Sequence, residues 1–127
     1  MSVENNKAFI RQYFAELSSG DKIQACKRYV TDNNLIEHIE MFEAAFPGYQ
    51  LAVEDMVAED DKVVVRGIMT GTHRGAFMGI PATGKPVTVP VMVIYQVAGG
   101  KIVKFWIQAD VLALLQQLGA MSTAAPA

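Results

Sequence analysis

The sequence has few of the residues that build disulfides, metal sites or covalent catalytic centres. Its 127 residues include one cysteine, Cys26, and two histidines, His38 and His73. A single cysteine excludes an internal disulfide, and two distant histidines with one cysteine give no cluster of metal ligands. The sequence also lacks the Walker phosphate-binding loop and the G-x-S-x-G turn of serine hydrolases. We therefore expect no metal site and no nucleophilic role for Cys26.

An excess of basic charge and a long apolar run are absent too. The formal net charge is −2, and without a basic stripe we expect no nucleic-acid partner. No run approaches the roughly 18 apolar residues of a membrane span. The start, MSVENNKAF, lacks the apolar core of a signal peptide. These features predict a cytoplasmic protein without a membrane partner.

What the sequence does have is a composition typical of one globular domain, with 51% hydrophobic residues. The apolar spacing predicts a helix over 5–18, and Asp21 is expected to cap a second helix that ends near residue 29. A third helix is expected after a cap at Asn34, and Pro47-Gly48 ends it. We expect one domain over residues 1–119 and a flexible tail at 120–127.

The pattern then changes to that of β-strands. Strands are predicted over 49–58, "VVVRGIMTGTH", "PVTVPVMVIYQV" and "KIVKFWIQA", and Pro90 suggests an edge strand or a bulge. A short final helix follows in "DVLALLQQLG", with Gly119 just past its end. Helices followed by hairpin-connected strands predict an α+β fold, in which a bent antiparallel sheet and the helices enclose a pocket.

Several segments resemble a known family. "TGTHRG", "GIPATGK" and the Trp-x-x-x-Asp of "WIQAD" before "LLQQLG" are similar to the SnoaL-like polyketide cyclases, also called ester cyclases, of the NTF2-like superfamily. The resemblance covers residues 5 to 119 and implies an α+β cone around a deep apolar cavity. It also implies an intramolecular aldol closure without any cofactor, with Asp110 as general acid/base and His73 in the same pocket.

The chain departs from this family in one segment. Relatives usually have a short strand with a His or Asn after the second helix, whereas "RYVTDNNLIEHIEMF" passes directly into the third helix. His38 falls within that helix, so the family's first His is not assigned to it. The helical spacing places His38 at the boundary of the apolar face.

Asp110 and His73 each have a structural alternative. Asp110 stands just before a helix and is a natural N-cap, although Ala113 occupies the position where a capping box needs Glu or Gln. His73 shares strand parity with Met69 and Gly67, and it could be a hydrogen-bonded histidine at a strand end.

Further pocket residues follow from strand parity and from the resemblance. Trp106 and Gln108 share a strand face with Asp110, so they are expected to face the pocket with it. Gly67 is expected to free pocket volume. The remaining expected contacts with a small hydrophobic, polyketide-like ligand are Tyr13, Phe77 and Met92.

Two functional classes remain open. One is a cofactor-independent cyclase or isomerase that uses Asp110, helped by His73, on an apolar carbonyl compound. The other is a binding protein that keeps the cavity and has no activity. In both cases we expect a homodimer or higher homo-oligomer, because "VTVPVMVIYQV" is apolar on both strand faces and the helices cover only one.

Overall fold

The computed structural model describes residues 2–120. Apart from Ala120, the predicted tail at 120–127 lies outside the described residues. The chain forms three helices, four strands and a last helix: α1 (Val3–Ser19), α2 (Lys22–Tyr29), α3 (Asn33–Ala45), β1 (Gln50–Glu59), β2 (Lys62–Thr72), β3 (Pro86–Ala98), β4 (Lys101–Ala109) and α4 (Val111–Gln117).

The helices begin at short polar residues that accept hydrogen bonds from the first turn. Asp21 caps α2 as predicted, with its side chain accepting from two backbone N–H groups. Helix α1 begins earlier than expected, because Ser2 accepts from the backbone N–H of Asn5. The expected cap of α3 at Asn34 is wrong, since Asp32 caps this helix instead.

The four strands form one antiparallel sheet in the order β1-β2-β3-β4. The predicted α+β fold is confirmed. Each edge strand contains one extra residue, which is Glu54 in β1 and Val103 in β4. Such β-bulges bend the strand and reverse which side chains face inward beyond the bulge.

Pro90 lies in β3, an inner strand, and the expectation of an edge strand or a bulge at this position is wrong. The Pro90 carbonyl accepts from the backbone N–H of Asp110 at 3.2 Å. The ring nitrogen faces the same neighbour, because opposed residues of an antiparallel pair exchange both bonds. Strand β4 ends at Ala109, so the proline removes only the last bond of this ladder.

The core lies between the helices and one face of the sheet. Along β3, every second side chain from Val87 to Val97 is buried, the alternation expected for a sheet that is covered on one side. Helix α1 packs on β1 and β2, and α4 packs on β3. Within residues 2–120 no helix is long and apolar enough to cross a bilayer.

Candidate functional site

A cavity lies between the three N-terminal helices and the inner face of the sheet. Its volume is about 80 Å³, and most of its walls are aliphatic and aromatic. Its lining includes the exposed residues Ser18, Gln50 and Val111, so the cavity reaches solvent. Typical small-molecule sites measure roughly 300–1,000 Å³. The cavity therefore fits a small ligand, and a larger one requires the walls to move.

Three tyrosines bring hydroxyl groups to these apolar walls. Tyr13, Tyr49 and Tyr95 come from α1, the start of the sheet and β3. Burial is the main cause that raises the pKa of each phenol. The hydroxyls therefore stay protonated at neutral pH and can donate hydrogen bonds, and that of Tyr13 already donates to Cys26 Sγ at 3.8 Å. Tyr13 is a predicted ligand contact, and the structure places it in the cavity wall.

His38 also lines the cavity. Its ring centroid lies 4.7 Å from that of Phe42 and 5.9 Å from that of Phe105. Burial in these apolar surroundings lowers the pKa of His38 below the usual 6.5, because it penalises the charged imidazolium. The imidazole is therefore neutral at pH 7 and can accept a proton.

Lys22, at the first position of α2, is the basic residue in the cavity wall. Its Nζ lies 3.5 Å from Glu43 Oε2 and 4.9 Å from the ring centroid of Tyr49. Only 7% of the Lys22 side chain is exposed. The cavity wall thus contains one buried ammonium group, three tyrosines and a neutral imidazole.

Asp110 does not line this cavity, although its neighbours Ala109 and Val111 do. The residue is exposed, and its Oδ1 accepts from the backbone N–H of Ala113 at 3.0 Å. The structure therefore gives Asp110 the geometry of an N-cap for α4. The carboxylate is outside the cavity lining and would have to leave this bond to reach a ligand there.

The expected placement of Trp106, Gln108 and Met92 in the pocket is wrong. Trp106 and Gln108 do share a strand face, but the bulge at Val103 turns that face away from the helices. Met92 pairs with Gln108 on the same outer side. Trp106 is 40% exposed and Met92 is 50% exposed.

His73 is fully buried, but it is not part of the cavity wall. The backbone N–H of Thr83 donates to His73 Nδ1 at 3.2 Å, and Thr83 Oγ1 lies 3.0 Å from the same nitrogen. The ring packs on Phe46 with centroids 5.4 Å apart. His73 thus joins the two ends of the Gly/Pro loop. No residue between 70 and 88 lines the cavity, so this loop does not cover its mouth.

Two more expected pocket residues serve packing instead. A Cβ at Gly67 would lie 2.8 Å from the Ala52 carbonyl oxygen, so glycine allows β1 to approach closely next to its bulge and does not add pocket volume. Phe77 is buried in a second cluster, where its ring lies 5.4 Å from those of Phe42 and Phe46.

Sequence reasoning missed Lys22 and Tyr95 as cavity residues, and it placed His38 at the boundary of a helix. One signal was present at Lys22, since a lysine at the first position of a helix opposes the helix dipole. Among residues 2–120, no group of three His, Cys, Asp or Glu side chains is arranged to hold a metal ion.

Comparison with known proteins supports this architecture. AclR of Streptomyces galilaeus, described as a candidate hydroxylase, is 27% identical with a TM-score of 0.84, over 98% of this chain and 87% of AclR. TsrD of Streptomyces laurentii is 22% identical with a TM-score of 0.82, over 95% of this chain and 99% of TsrD.

IdmH of Streptomyces antibioticus, a candidate polyketide cyclase, is 24% identical with a TM-score of 0.74, over 90% of this chain and 98% of IdmH. The similarity to TsrD and IdmH shows the fold alone. No curated protein sequence matches the chain significantly. The family model of the SnoaL-like polyketide cyclases, however, matches residues 8–118, and the chain therefore belongs to the SnoaL-like polyketide cyclase family.

Proposed function

We propose that the protein is a cofactor-independent enzyme that moves a proton on a small apolar carbonyl compound held in the cavity. The reaction class is aldol-type cyclisation or a related isomerisation. The observation that carries this proposal is a neutral imidazole, His38, in an apolar cavity that also presents tyrosine hydroxyls. A base removes a proton next to the carbonyl, and a phenol that donates to the carbonyl oxygen stabilises the developing enolate.

Two residues are candidates for the base. His38 lines the cavity and is uncharged at neutral pH, so it needs no rearrangement to accept a proton. Asp110 is favoured by the family motif, but its carboxylate is held by the Ala113 N–H outside the cavity lining. The geometry favours His38, and Asp110 remains the alternative that requires release of the cap.

The second candidate function is binding without turnover. It is favoured by one observation, which is that no Asp or Glu side chain of residues 2–120 lines the cavity. A binding protein needs only the apolar walls and a few hydrogen-bond donors.

The test uses phenylacetone, a small apolar ketone with acidic benzylic protons. Proton NMR in D₂O follows the protein-catalysed exchange of these protons, and line broadening follows binding. We expect catalysed exchange that falls by about 10²–10⁴-fold in His38→Gln, the usual contribution of one positioned base. Binding without exchange would favour the binding protein. Absence of both would contradict a ligand site in this cavity.

We also propose that the outer face of the sheet packs on a second copy of this chain. A cross-strand row of Val57, Val64, Ile94 and Trp106 runs over all four strands. Val57 is 62% exposed, and a contiguous apolar patch of this kind is typical of an interface. Light scattering at micromolar concentration should give a dimer mass that Trp106→Glu reduces to that of a monomer. A monomer mass for the unmodified chain would contradict the proposal.

A further inference from the structure

Lys22 is a cation in surroundings that disfavour a cation. Its ammonium group is buried in the wall of an apolar cavity, and burial of a charge requires a compensating partner. Lys22 is also the first residue of α2, where the positive end of the helix dipole repels it. Both effects are unfavourable, so the position demands negative charge nearby.

Glu43 meets this demand only in part. Its Oε1 already accepts from the backbone N–H of Gly48 at 3.0 Å. Its Oε2 lies 3.5 Å from Lys22 Nζ, and this buried oxygen has no hydrogen-bond partner among residues 2–120. Charge-assisted N–H···O bonds measure about 2.7–2.9 Å, so the ion pair is loose. An ammonium group has three N–H donors, and Lys22 therefore has donors to spare.

Apart from Glu43 beside Lys22, no competing anion is present at the cavity among residues 2–120. No carboxylate lines it within the described residues, and the other titratable groups that face it are His38 and the tyrosines Tyr13, Tyr49 and Tyr95. We propose that Lys22 binds an anionic oxygen of a ligand whose apolar body occupies the cavity. This inference rests on the proposed small-molecule function. It adds that the substrate carries a carboxylate, or a carbonyl oxygen that becomes an enolate oxygen during the reaction.

The experiment compares two probes of nearly equal size, phenylacetate and phenylacetamide, by NMR titration at pH 7. The unmodified protein should bind phenylacetate about tenfold more tightly, because a hydrogen bond to a charged group is stronger than one to a neutral group. Lys22→Met keeps the apolar stem and removes the charge. It should abolish the preference for phenylacetate and weaken phenylacetamide binding much less, because a neutral amide loses only a hydrogen bond and no ion pair. Lys27→Met, on the exposed side of the same helix, is the matched control and should retain the preference.

Glu43→Gln should change phenylacetate affinity in the opposite direction, and it tests the role of Lys22 even if Lys22→Met does not fold. Removal of the competing carboxylate should tighten phenylacetate binding several-fold and leave phenylacetamide unaffected. Equal affinity of the two probes for the unmodified protein would overturn the role of Lys22 while leaving the cavity as a ligand site. A preference that survives in Lys22→Met, or that falls in Glu43→Gln, would overturn it as well. If neither probe binds, the proposed function fails, and this inference fails with it.

Discussion

The two roles available to Asp110 predict opposite results for the same pair of substitutions. As an N-cap, the residue contributes stability through the bond from the Ala113 N–H to its Oδ1. As a general acid/base, it contributes to turnover and little to folding. Asp110→Ala removes the cap, whereas Asp110→Asn keeps an oxygen that can accept the same bond.

The expected magnitude follows from the position of the cap. Loss of an N-cap side chain costs about 0.5–2 kcal/mol, typically about 1 kcal/mol. Helix α4 holds Leu114 and Leu118 in the second core cluster, so loosening of its first turn affects packed residues. For a chain of this length, about 1 kcal/mol lowers Tm by roughly 3–6 °C. Asp110→Asn loses only the favourable charge at the helix N-terminus, about 0.3–1 kcal/mol.

Thermal melts and benzylic proton exchange in phenylacetone are measured on both variants. With the cap role alone, Asp110→Ala should melt several degrees lower, Asp110→Asn should lie near the unmodified protein, and both should retain the exchange rate while folded. An unchanged melting temperature in Asp110→Ala would refute the cap. A loss of about 10²-fold or more in Asp110→Asn, with normal melting, would restore Asp110 as the base and exclude His38 from that role.

Other predictions concern His38, His73 and Gly75. Since burial lowers the pKa of His38, the rate of phenylacetone exchange should rise with pH and reach its plateau before pH 6.5. A rate that stays unchanged down to pH 4 would contradict His38 as the base. For the same reason, the contribution of His38 to the free energy of unfolding should be fully present above about pH 6.5 and fall as the pH falls, because the unfolded chain binds the proton more tightly. Urea melts of His38→Gln should therefore depend less on pH. His73→Ala should cost about 2–4 kcal/mol in urea melts through a lost buried hydrogen bond and a new cavity, with phenylacetamide affinity unchanged. Gly75→Ala should also destabilise the fold, since the added Cβ would lie 2.2 Å from the Ala44 carbonyl oxygen; normal melting would show that this close approach is absent.

The sequence was sufficient to predict the architecture because hydrophobic periodicity decides it. The helical spacing in α1 specifies one buried face, and the apolar β-branched run of β3 specifies a strand. The hairpin turns and the cap at Asp21 fixed most element boundaries within a few residues. The inner position of Pro90 was not predictable, because it depends on where the neighbouring strand ends.

The site was harder to predict, because a single inserted residue changes which side chains face inward. The bulge at Val103 carries Trp106 and Gln108 to the outer face, and no feature of the local sequence marks it. When side chains are alternated along β4 from the β3–β4 turn without a bulge, these two residues fall on the wrong side of the sheet. Tyr95 lies on the unbulged strand β3 with its side chain toward the helices, and it reaches the cavity wall.

The segment "TGTHRG" has a role in the fold itself, through the hydrogen bonds that it makes. The backbone N–H groups of Arg74 and Gly75 donate to the Ala45 carbonyl at the end of α3. His73 holds the far end of the loop through Thr83, and Gly75 has no room for a side chain. Each of these residues joins the loop to the body of the fold. The chemistry of this family member is therefore better sought among the side chains that line the cavity, above all His38 and Lys22, than in the motif through which its sequence resembles its relatives.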